Sequence, residues 1–113
     1  MELATRDSGP VRIITVQDPR IDAAVAIQFK DRMRDHITGG PARIVLDLSQ
    51  VSFVDSSGLG AIVAAMKQTG EGQVLELAGL TRNVAKVFAL TRLDGVFTIH
   101  PSVSAIEGRA DAG

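Results

Sequence analysis

Residues 44–66 join a buried strand to an amphipathic helix through Asp55-Ser56-Ser57-Gly58, and this junction constrains the fold more than any other stretch. Ile44-Val45-Leu46-Asp47-Leu48 has the length and β-branched content of a buried strand. Leu59, Ile62, Val63 and Met66 then fall at i, i+3, i+4 and i+7, one face of a helix. The tetrapeptide between them delivers two hydroxyls and a carboxylate to a helix start at the edge of a sheet. Helix N-termini carry unpaired N–H groups and a partial positive charge, so they suit anions, a phosphate on serine included. A serine placed there can cap the helix, worth about 1 kcal/mol, or accept a phosphate. Spacing alone favours the cap.

The rest of the chain alternates in the same way. Val11–Val16 reads as a strand, paired with a short one near residues 2–5, and Asp18-Pro19 breaks it. Apolar residues at 21, 25, 29, 33 and 37 predict a helix over 21–37, with Asp22 as its N-cap and Gly39-Gly40-Pro41 as its end. A helix over 57–69, a turn at 70–72 and a strand at 74–78 follow. A helix over 81–90 turns Val84, Val87 and Phe88 inward; a short strand at 96–99 and a last helix from Pro101 through Ile106 complete the pattern. Residues 108–113 are small and polar and read as a frayed tail. Strands alternating with helices predict an α/β domain with a mixed sheet, mostly parallel in its C-terminal part, and helices packed against it.

At 113 residues the chain makes one domain, 1–113, with a core over about 10–107. Its net charge of −1 offers no electrostatic reason to expect nucleic acid or an anionic membrane as partner. With no cysteine, disulfides and cysteine-ligated zinc are excluded. No signal peptide is evident and no apolar run approaches the roughly 20 residues that span a bilayer. A cytoplasmic protein is expected.

The block Ile44-Val45-Leu46-Asp47-Leu48-Ser49-Gln50-Val51-Ser52-Phe53-Val54-Asp55-Ser56-Ser57-Gly58-Leu59-Gly60 resembles the STAS domain, and within it the bacterial anti-sigma factor antagonists. Leu77-Ala78-Gly79-Leu80, Val84-Ala85-Lys86-Val87-Phe88 and Leu93-Asp94 are similar to the family's next strand and helix, so the likeness covers about residues 10–107. The resemblance implies a STAS fold and partner switching. The unphosphorylated form would bind an anti-sigma factor that is itself a serine kinase, and so free a sigma factor. Phosphorylation of Ser57, the second serine of the pair, would abolish binding, and a PP2C-type phosphatase would restore it. Asp22, Asp55, Ser56, Gly58 and Leu59 are the implied partner-binding residues. Asp55 can cap the helix, or hold the serine hydroxyl and offer charge. Gly58 fits either a close approach by a partner or a tight loop, and Leu59 either core or contact. Pro19-Arg20-Ile21-Asp22 stands where such antagonists often have Gly-x-Leu-Asp, so the loop before the first helix runs differently.

Catalysis by the chain itself finds no support. A hydrolase elbow would need Gly where Asp55 stands, and neither His36 nor His100 is tied by sequence to Ser57. No phosphate-binding Gly-x-x-x-x-Gly-Lys loop and no metal-ligand spacing occurs, so neither cofactor nor metal is expected. A receiver domain would use Asp47 as phosphoacceptor but needs an acidic pair after its first strand, where only Asp18 is near. The alternative within the fold is a scaffold or accessory subunit, as in a stressosome-like complex or a lipid-transport ATPase.

Overall fold

Three strands rich in buried apolar residues form the centre of the molecule, whose structure, a computed structural model, describes residues 1–107 in full and the backbone of 108–112. In chain order the elements are β1 (Leu3–Ser8), β2 (Val11–Val16), β3 (Arg20–Ile21), α1 (Ala26–Ile37), β4 (Arg43–Asp47), β5 (Phe53–Val54), α2 (Ser56–Lys67), β6 (Val74–Ala78), α3 (Arg82–Leu90), β7 (Ile99–His100) and α4 (Val103–Ala112). The main sheet has the order β1-β2-β4-β6-β7. The β1–β2 pair is antiparallel and every other pair is parallel. Gly9, with φ +59°, opens the two-residue turn of the hairpin, where a II′ geometry demands a positive φ. A separate parallel ribbon pairs β3 with β5.

Strand order advances in one direction from β2 to β7, and right-handed crossovers then carry α1, α2 and α3 over the same face of the sheet. Alternation along the strands serves that layer. Ile14, Val16, Ile44, Leu46, Leu75 and Leu77 pack with Phe29, Met33, Ile37, Ile62 and Phe88 in one continuous core. Residues of opposite parity, Ile13, Val45 and Ala78, meet Ile106 of α4 on the other face. No helix among the described residues is long and apolar enough to cross a membrane.

Four boundaries differ from the sequence reading. The first helix begins at Ala26, not at residue 21, and its N-cap is Val25. Asp22 is therefore not an N-cap. Ile21 is in phase with the helical stripe but is drawn into β3, where it pairs with Val54 and is fully buried. The hairpin strand is longer than expected, through Ser8. Near the C-terminus, residues 93–95 make a 3₁₀ turn and the strand is Ile99–His100. Phe97 is buried edge-on against Phe88, ring centroids 6.0 Å apart, which leaves Val96 exposed and delays the pairing with β6. Of the stretch read as a tail, residues 108–112 continue α4, and Gly113 lies outside the described residues.

One ion pair fastens α4 to the opposite end of the chain. Arg6 on β1 donates to both Glu107 oxygens, at 2.6 and 2.7 Å. That hydrogen-bonded guanidinium holds the Glu107 carboxyl below its ordinary value of 4.5. A depressed carboxyl contributes stability above its unfolded pKa and loses it as pH falls through the lower folded value. The contribution of Glu107 to the docking of α4 should therefore be complete above the ordinary carboxylate range and be lost as pH falls below it. The methyl signals of Ile106 should move in acid while those of Ile62 stay put. In Glu107→Gln the acid response of Ile106 should vanish; an Ile106 response that survives this substitution would assign the effect to another group.

Candidate functional site

The Ser57 loop is built by two chain segments, 18–25 and 52–58, stitched together by backbone and carboxylate. The Pro19 carbonyl accepts from the Ser52 and Phe53 N–H groups at 2.8 and 3.2 Å, and from the Ser52 hydroxyl at 3.1 Å. β3 and β5 then run side by side for two residues. Asp55 follows in extended conformation (φ −96°, ψ −174°) and caps α2: its Oδ1 accepts from Gly58 N at 2.8 Å. Its Oδ2 accepts from Ala23 N at 3.2 Å. One carboxylate thus ties the start of α2 to the turn before α1, and both bonds are to backbone amides.

Gly58 closes this assembly from beneath. A Cβ there would lie 1.9 Å from the Ile21 carbonyl oxygen and 3.0 Å from Val54 Cγ1. The sequence left the cause of this glycine open between a partner and a tight loop. The close neighbour is the chain's own β3. Leu59 is likewise buried in the core. Ser56 and Ser57, the first two residues of α2, face out and are exposed. Asp22 lies beside them on the turn joined to Asp55, its Oδ1 accepting from Ala24 N at 3.1 Å. Of the six residues singled out by sequence, Asp22, Asp55, Ser56 and Ser57 gather at one surface, while Gly58 and Leu59 point inward.

Three further residues flank that surface. Asp22 Oδ2 accepts from Arg20 Nε at 3.2 Å, and the Arg20 guanidinium stacks 4.2 Å above the Phe53 ring. Phe53 is 40% exposed, and Ile27 in the first turn of α1 is 70% exposed. Strand alternation was the available signal: with Ile21 and Val54 inward, Arg20 and Phe53 must face out.

The remaining polar groups lie elsewhere. His100 Nε2 sits 2.9 Å from Glu76 Oε1, which also accepts from Arg43 Nε at 2.8 Å. Asp47 accepts from the Thr15 hydroxyl at 3.2 Å and from Ser49 N at 3.0 Å, which explains it as a structural carboxylate at the end of β4. A cavity of about 360 Å³ lined by Ser8, Val11, Ile13, Arg43, Ile106 and Glu107 opens on the α4 face. None of the residues lining that cavity belongs to the Ser57 loop, whose two serines are exposed at the surface.

The two glycines of α2 give a sharp contrast. Gly58→Ala must displace backbone and should cost at least about 2 kcal/mol, lowering the melting temperature by roughly 8 °C or more. Gly60 has open space around its would-be Cβ, so Gly60→Ala should hold or raise stability, by up to about 1 kcal/mol. Thermal and urea unfolding of the two variants decide it; equal stabilities would remove the Ile21 contact from the account.

Comparison with known proteins places this geometry. A family model described as STAS domain matches residues 2–106. The anti-sigma-B factor antagonist of Listeria monocytogenes is 30% identical over 100 residues, covering 88% of this chain and 86% of its own. An anti-sigma factor antagonist from Mycobacterium paratuberculosis superposes with a TM-score of 0.82 at 23% identity, over 92% of this chain and 88% of that one. The phosphorylated form of the Bacillus cell fate determinant SpoIIAA does so with a TM-score of 0.69 at 19% identity, over 96% and 99%. At those identities the two solved structures speak to the fold.

Proposed function

Since the chain belongs to the STAS domain family, with anti-sigma factor antagonists among its relatives, we propose that it is such an antagonist and works by partner switching through Ser57. The observation that carries the reading is the exposed Ser57 hydroxyl in the first turn of a helix whose start is held rigid by Asp55. A kinase reaching this serine needs no local unfolding. The unphosphorylated face, made of Asp22, Ser56, Ser57 and the exposed Phe53 and Ile27, docks on an anti-sigma factor and releases a sigma factor. Asp55, Gly58 and Leu59 hold that face from behind. The anti-sigma factor is the serine kinase, a PP2C-type phosphatase reverses it, and the chain is the substrate of both and not a catalyst.

Phosphate adds about −1.5 to −2 charges at pH 7. The helix N-terminus tolerates that charge in the free domain, by a few tenths to about 1 kcal/mol. In a closed interface the dianion is desolvated beside Asp22 and Asp55, at a cost of several kcal/mol. With 1.4 kcal/mol per tenfold in affinity, repulsion at the interface outweighs any gain within the domain.

Two measurements test the reading. Each serine kinase of the source organism with a histidine-kinase-like ATPase domain is purified and incubated singly with the protein and ATP. One of them should add a single phosphate, located on Ser57 by mass spectrometry of the digest; phosphate on Ser56 or Thr81 instead would overturn the assignment. By calorimetric titration against that kinase, Ser57→Ala should bind as the wild type does and Ser57→Asp roughly tenfold weaker, since a carboxylate carries about half the phosphate charge. Unchanged affinity on true phosphorylation would remove the switch.

A further inference from the structure

Arg20 has no role in the reading so far, yet its placement is specific. It leaves β3 on the outer side, because its neighbour Ile21 is fully buried, and it shares that side with Asp22 and Phe53. Its side chain uses one donor, Nε, on Asp22 Oδ2 at 3.2 Å; among the described residues the Nη groups have no hydrogen-bond acceptor. In the two segments that build the loop, 18–25 and 52–58, Arg20 is the sole cation, set among Asp18, Asp22 and Asp55.

The first turn of α2 is pressed against this same strand, with the Gly58 backbone on the Ile21 carbonyl. Consecutive Cα atoms lie about 3.8 Å apart, so Ser57 and Arg20, each one residue from that contact, fall within the combined reach of an extended arginine and a phosphoserine. A guanidinium presents five donors in a planar fork that fits phosphate with two parallel bonds, and such charge-assisted bonds are roughly twice as strong as neutral ones. The present pair with Asp22 is a single contact on an exposed side chain, the kind that is weakly held.

We propose that Arg20 is the internal counter-ion of a phosphate on Ser57. Its Nε stays on Asp22 while the Nη edge turns from the Phe53 ring to the phosphate oxygens. The phosphorylated loop then carries a fixed Asp22–Arg20–phosphate array in place of a freely rotating dianion, and the Phe53 ring loses its cover. The proposal rests on Ser57 as the phosphoacceptor.

The test needs no kinase. Phosphoserine is incorporated at position 57 by an expanded genetic code, and the phosphate is titrated by phosphorus NMR in the wild type, Arg20→Gln and Arg20→Lys. A facing cation favours the dianion, so the second ionisation should lie about half a pH unit or more lower in the wild type than in Arg20→Gln. The gap should shrink in about 1 M salt, and Arg20→Lys should fall between. In the wild-type background the Arg20 Nε–H signal should shift between the serine and phosphoserine forms, a readout independent of any variant. Equal midpoints in wild type and Arg20→Gln, with an unmoved Nε–H signal, would overturn the proposal and leave Ser57 switching intact. Kinases that ignore Ser57 would overturn the switching and, with it, the setting that gives Arg20 its role.

Discussion

The contact between the first turn of α2 and the Ile21 carbonyl is the constraint on which the site depends. β3 and β5 are two residues long, and a ribbon of that length has no stability of its own. It persists because Ile21 and Val54 are buried in the main core, each worth roughly 1.5–3 kcal/mol when fully removed from water. Burial brings the two strands beneath the helix, and a side chain at position 58 would hold the helix away. With hydrogen in that place, the helix settles onto the peptide, and the Asp55 carboxylate comes within reach of both its own third helical amide and Ala23 N. Remove the close approach and the second of those bonds has nothing to meet.

This arrangement explains why the loop can be both exposed and rigid. Exposed loops ordinarily owe their mobility to unsatisfied, solvated backbone. Here Pro19, Ile21 and Asp55 accept the N–H groups of Ala23, Ser52, Phe53, Asp55 and Gly58, so the backbone is pinned while the Ser56 and Ser57 side chains remain in water. A protein that must be recognised at one serine gains from such a frame, because no ordering cost falls on binding. The polar groups on the α4 side of the sheet, Arg43, Glu76 and His100, form a network of their own on the far face. Among the described residues, no hydrogen bond joins them to Ser57.

How legible all this was in the sequence depended on length. β4, β6, α2 and α3 are each five or more residues long with a clear period, and they lie where the pattern placed them to within a residue or two. A strand of two residues has no period to read. Ile21 was worse than silent, since it fell in phase with Phe29, Met33 and Ile37 and so drew the start of the first helix five residues too far forward. The error carried Asp22 with it. As a helix cap Asp22 would have bonded amides of α1; in the structure it holds Ala24 N and Arg20. Val96–Ile99 failed for a tertiary reason, the edge-on seat of Phe97 against Phe88. At the site itself, capping by Asp55 could be argued from local chemistry, whereas Ser57 stood out only through the resemblance. Gly58 could be noticed from the sequence but not explained, because its cause lies 37 residues away at Ile21.

The same geometry decides how a charge at Ser57 can act. Leu59, Ile62 and Ala65 fix α2 to the core over its whole length, and each large side chain contributes more than the 1 kcal/mol or less that a charge at an exposed helix start can supply. A phosphate therefore has no leverage to reorient the helix. Nor can it take over the cap, since both Asp55 oxygens are already committed to amides and a second anion there would face a carboxylate. Its effect must be exerted outward, on whatever docks across Asp22, Phe53 and Ile27, or, as proposed above, on Arg20. In a frame this well pinned, a phosphate on Ser57 would change the surface charge with the fold held constant, and a closely packed partner would be the element most sensitive to it.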